Sequence, residues 1–83
     1  MRVPIVIISF QDHSGDLEGH AEPYSFLAIG AIVEETKLGY VLAHWVYARP
    51  DQRPQGKLGD VTTYIAKVKG MKVKRIGTLS LKD

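Results

Sequence analysis

The stretch from Val3 to Phe10 constrains this fold more than any other: Val3, Ile5, Val6, Ile7 and Ile8 crowd together with no polar alternation. A strand wet on one face alternates apolar and polar side chains. A β-branched run without that alternation belongs to a strand covered on both faces. It is therefore predicted as a central strand of a sheet. Pro4 lacks an amide donor, so the strand begins at a sheet margin, where one side is unpaired.

What can surround such a strand is limited by length. Eighty-three residues make one core and no second, so residues 1–83 are expected to form a single domain. A chain this short buries only about 60–65% of the surface its unfolded form exposes, which leaves it marginal unless something supplements the core. The sequence holds no cysteine. Disulfides, thiolate zinc sites, iron–sulfur ligation and a cysteine nucleophile are all excluded with it. Self-association is the remaining inexpensive supplement, and a homo-oligomer is expected. The 45% hydrophobic content is ordinary for a folded domain. The early apolar run carries a proline and is far shorter than the roughly 20 residues of a membrane span. It also lacks the marks of a secretory signal, so a cytoplasmic protein without a membrane partner is expected.

Elsewhere the sequence divides into apolar arms and polar connections. Gln11 to Pro23 holds Asp12, His13, Asp16, Glu18, His20 and Glu22 with one aliphatic side chain, Leu17, and is predicted as a loop. Ser25 to Glu35 and Gly39 to Ala48 are β-prone arms around Thr36–Leu38 and predict a hairpin. Gly30 within the first arm marks a bulge, a bend or a close approach. The large Trp45 of the second arm is expected to lie over the small residues Ala28, Gly30 and Ala31 of the first. Arg49 to Gly59, with two prolines and two glycines, is a surface loop.

After Asp60, two patterns compete. Leu58, Val61, Ile65 and Val68 recur at helical spacing, Asp60 suits an N-cap and Gly70 a C-cap, which predicts a short helix over 60–70. Against this, Val61 to Ile65 is a strongly β-prone run. Lys72 to Leu81 is the closing strand, with a bulge near Gly77. The predicted class is α+β, a small antiparallel sheet of about four strands with one short helix. A small all-β barrel is the alternative if the helix does not form.

Three groups of residues could carry function. The first is the basic segment Lys67, Lys69, Lys72, Lys74 and Arg75, with Tyr64 nearby to stack on a base. It belongs to a marked charge split, because residues 1–60 carry about −3 and residues 61–83 about +5. Cations so placed grip phosphate, or an acidic protein, or merely guard a strand edge. The second group is Trp45, Tyr47 and Tyr40, aromatics suited to anchoring the core or to forming a dimer seam. The third is the loop from Asp12 to Glu22, where His13, Asp16 and His20 are possible metal ligands at a spacing that fits no familiar motif. His44 is expected as a hydrogen-bonded core or rim residue rather than a catalyst. Neither glycine pair in the loops has the lysine or spacing of a phosphate cradle, so no cofactor is implied.

The expected function is thus a non-catalytic cytoplasmic interaction module that self-associates through strand edges or the aromatic hairpin. A nucleic-acid-binding domain using Lys67 to Arg75 is the alternative, and a metal-dependent enzyme using the loop from Asp12 to Glu22 is a third reading.

Overall fold

The structure is a computed structural model and describes residues 1–12 and 24–82. Five strands, β1 (Arg2–Asp12), β2 (Tyr24–Glu35), β3 (Gly39–Val46), β4 (Gly59–Ala66) and β5 (Lys72–Ser80), form one antiparallel sheet in the order β4-β3-β2-β1-β5. The expected central strand is β1, held between β2 and β5. Pairing with β2 begins at Ile5, so Pro4 precedes it and no β2 bond is lost to the missing amide.

The predicted α+β class is overturned. Residues 60–70 hold no helix: Gly59 to Ala66 is β4, paired with β3 from Gly39↔Ala66 to Val46↔Gly59. The β-branched run Val61, Thr62, Thr63 and Ile65 decided the outcome, since a pleated surface suits such side chains and a neighbouring strand was available. Asp60 still caps an amide, but that of Val61 at the strand's start (2.9 Å). The only helical turn among the described residues is a 3-10 turn at Pro50–Gln52. Five strands therefore replace the expected four and a helix. The all-β barrel has the right content but not the closure, because β4 and β5 remain the two edges of an open sheet.

The predicted hairpin forms, with Glu35 opposite Tyr40. Its turn is held by Thr36, whose hydroxyl accepts from the amides of Leu38 and Gly39 (both 3.2 Å). Gly30 is a close approach, since a Cβ there would stand 3.1 Å from the Ala43 carbonyl oxygen. The bulge expected near Gly77 is present, as Ile5 opposes Gly77 while Val6 opposes Arg75, leaving Ile76 over. Residues 67–71 carry the chain from one sheet edge to the other and turn at Gly70, whose φ of +84° is one that glycine adopts without strain.

Side chains alternate between the two sides of the sheet. On one, here the inner face, Val6 and Ile8 of β1, Leu42 of β3 and Ile65 of β4 form the buried core, with Phe10, Ala28, Ile32, Tyr40 and Met71 packed against it. Strands separated by others in the sheet touch in this cluster, so the sheet curls around it. Burying Leu42 and Ile8, both 0% exposed, contributes about 1.5–3 kcal/mol each. Val3, Ala31 and Ala43 are also buried, and the register places them on the opposite, outer face. Together with the core they make seven buried apolar residues among those described, a small number for a chain that must offset its folding entropy.

Candidate interaction surface

The outer face takes its composition from the register. Ile7 is flanked by Ile29 of β2 and Lys74 of β5, and Ser9 by Leu27 and Lys72. Nothing among the described residues covers this part of the face: Leu27 is 71% exposed and Ile29 54%. On the far side of β2 the pairing with β3 covers only Ala31 to Glu35. Beyond Ala31↔Ala43 the two strands diverge, and β3 continues with β4 alone. Trp45, two residues past Ala43, therefore stands on the outer face opposite Asp60, 70% exposed. From Tyr24 to Val33 there is no charged residue at all, whereas the outer strands β4 and β5 carry Asp60, Lys72, Lys74 and Arg75.

This overturns the expectation that Trp45 lies over β2 or anchors the core. The other aromatics have separate settings. Tyr40 is half-buried against the core, with the Lys67 ammonium 4.9 Å from its ring centroid. Tyr47 is half-buried and its hydroxyl donates to Asp60 Oδ2 at 3.4 Å. Trp45, Val46, Tyr47 and Asp60 line a shallow cleft of ≈ 270 Å³. Asp60 also accepts from Lys57 Nζ at 3.2 Å. Its carboxyl is held below the ordinary carboxylate value, chiefly by the Val61 amide and then by the Lys57 ammonium. Val61 has φ +52°, an uncommon conformation for a β-branched residue. It leaves the His44 position out of the ladder, and His44 Nε2 instead meets Thr63 Oγ1 at 3.2 Å.

The basic segment is not one patch. Lys67 is engaged at the hairpin end, 2.9 Å from Glu35, and that carboxylate raises its pKa above the ordinary lysine value. Lys69 and Lys72 line a second cleft with Phe10, Phe26 and Leu27. The register places Lys72 and Lys74 on the outer face and Arg75 on the inner one, opposite Val6. Tyr64 projects from β4, at the opposite edge of the sheet from β5. No carboxylate pairs with Lys69, Lys72 or Lys74 among the described residues. The expected metal ligands His13, Asp16 and His20 lie outside the described residues.

Sequence reading missed Leu27, Ile29 and Asp60. Leu27 and Ile29 sit in a continuous apolar run, which reads as buried on both sides, and only the length of the β2–β3 pairing shows otherwise. Asp60 was legible as a capping residue, but not as the carboxylate facing Trp45. The single available signal was the lack of any charge from 24 to 33. No helix is long and apolar enough to cross a membrane among the described residues. Compared with protein families, curated proteins and solved structures, the chain matches none.

Proposed function

We propose that this chain is a non-catalytic interaction module that associates with itself through the outer face of its sheet. One observation carries the reading: Leu27, Ile29 and Trp45, the large apolar residues left most open along β2 and β3, share the one face that the core does not use. Domains bury each apolar sheet face against a second layer. Here the inner face is covered by the curl of the sheet itself, and the outer face is covered at Val3, Ala31 and Ala43 but left open at Leu27, Ile29 and Trp45. The small buried core supports the same conclusion, because association contributes apolar burial that the monomer does not have. A cytoplasmic setting suits a chain without cysteine.

The reading is tested by the mass of the purified chain in sedimentation equilibrium at micromolar concentration. Twice the 9.2 kDa of one chain is expected, little changed when salt is raised, because apolar contact is not screened. Leu27→Lys together with Ile29→Lys is expected to leave a folded monomer. A wild-type mass of one chain at every concentration contradicts the proposal. Nucleic acid is a second reading for the basic segment, favoured only by Lys69, Lys72 and Lys74, which have no carboxylate partner among the described residues. Oligonucleotide affinity that falls by orders of magnitude between low and moderate salt is its signature.

A further inference from the structure

Resting on the self-association just proposed, the pattern of charge across the outer face points to one arrangement of the two copies. The cross-strand partners Ile29, Ile7 and Lys74 lie side by side on β2, β1 and β5. Trp45 and Asp60 are partners on β3 and β4. Ile29 and Trp45 are each two residues past the Ala31↔Ala43 pair, in the same direction. The five residues therefore lie at one level of the sheet in the order Asp60, Trp45, Ile29, Ile7, Lys74, with a gap between Trp45 and Ile29 where β3 has parted from β2. One end carries the Asp60 carboxylate with Lys57 beside it, the middle is apolar, and the other end is basic.

Such a row is self-complementary in one direction only. Two sheets packed face to face about a two-fold axis parallel to the strands reverse the row, so that each Lys74 meets the Trp45 and Asp60 of the other copy. An axis across the strands instead stacks Lys74 on Lys74 and Asp60 on Asp60. We infer that the homodimer is a face-to-face sandwich with its two-fold axis along the strands, each Lys74 ammonium docking on the Trp45 ring and the Asp60 carboxylate of its mate.

The local chemistry suits this contact. Asp60 receives three donors, from Val61, Lys57 and Tyr47, and a carboxylate offers about four acceptor positions, so one remains. An exposed indole is the best aromatic partner for an ammonium. The curl of each sheet makes two outer faces touch first at the middle of the row, where the isoleucines are short. They diverge at its ends, where the long Lys74 and Trp45 side chains stand.

The test is a charge swap read by sedimentation equilibrium. Lys74→Glu sets Glu against Asp60, and Asp60→Lys sets Lys against Lys74. Either variant alone is expected to dissociate about a hundredfold more easily, about tenfold for each of the two equivalent contacts. Mixed one to one, the two variants form a heterodimer in which both contacts are opposite in charge, and dimer is expected to return. If the wild type is a dimer but neither variant weakens it, or mixing restores nothing, this arrangement is wrong while self-association stands. A monomeric wild type overturns both.

Should circular dichroism show Asp60→Lys unfolded, the contact is read by cysteines in an otherwise cysteine-free chain. Trp45→Cys and Lys74→Cys chains are expected to cross-link on mild oxidation when mixed, and neither alone. Cross-linking of Lys74→Cys with itself would establish the other axis. Within one chain the two positions are three strands apart, at least about 14 Å because β2 and β3 have parted at that level, which is too far for a disulfide.

Discussion

At the scale of single residues, the surroundings of Asp60 alter its chemistry. Its carboxylate accepts from the Val61 amide, the Lys57 ammonium and the Tyr47 hydroxyl, and its pKa is lowered from the ordinary 3.8. A carboxyl whose folded pKa lies below its unfolded value contributes stability that is present above the unfolded value and is lost as pH falls through the folded one. Acid denaturation of the wild type is therefore expected to steepen below about pH 4, and Asp60→Asn to flatten that limb without altering stability's pH dependence near neutrality. A titration of urea midpoints against pH checks this, and an unchanged acid limb in Asp60→Asn would contradict it. Lys67 has the opposite sign. Its raised pKa gives stability present below the usual lysine value of 10.5 and lost as pH rises through the higher folded value. It is well exposed, so the effect is screened.

At the scale of elements, the strands follow from their residues to an uneven degree. β1 was legible because five β-branched side chains in six positions have few other uses. The hairpin was legible because Thr36 and Gly39 make a turn between two β-prone arms. β4 was misread because Leu58, Val61, Ile65 and Val68 recur at helical spacing by coincidence. Only Ile65 of the four is buried in the core, and β3 supplied the pairing that decided between the two patterns. The setting of Trp45 was not legible, since it depends on where β3 leaves β2, a non-local property that no window of sequence contains. The basic segment was legible as charge but not as geometry, because the turn at Gly70 separates Lys67 from β5 and alternation along β5 divides Lys72 and Lys74 from Arg75.

The β3–β4 pair carries a further expectation. Gly59 lies so close to β3 that a Cβ would stand 2.5 Å from both the Trp45 carbonyl oxygen and the Ala43 Cβ, neither of which can yield cheaply. Gly59→Ala is expected to cost about 1–3 kcal/mol, as overpacking does, and to disturb Asp60 and Trp45 beside it. Urea unfolding measures the cost. A variant as stable as the wild type would mean that β3 and β4 are less closely paired than described.

At the scale of the whole molecule, the sequence and the sheet give a consistent account of one missing layer. A cysteine-free chain of 83 residues has little with which to supplement a small core. Its 12-residue β2 reaches about 40 Å, enough to pair with β1 at one end and β3 at the other, and this stagger keeps the sheet open. Apolar side chains that a larger protein would cover with a helix are left on the outer face, flanked by acid at one edge and lysine at the other. Self-association covers them without a further element, and the charges fix how the copies meet.

The most direct measurement is the emission of Trp45, the sole tryptophan, followed as the wild-type chain is diluted from high micromolar to nanomolar concentration. The account predicts blue-shifted emission when concentrated and a red shift on dilution, along the same curve that the mass follows from two chains to one. Red, water-like emission that stays constant at every concentration would contradict it.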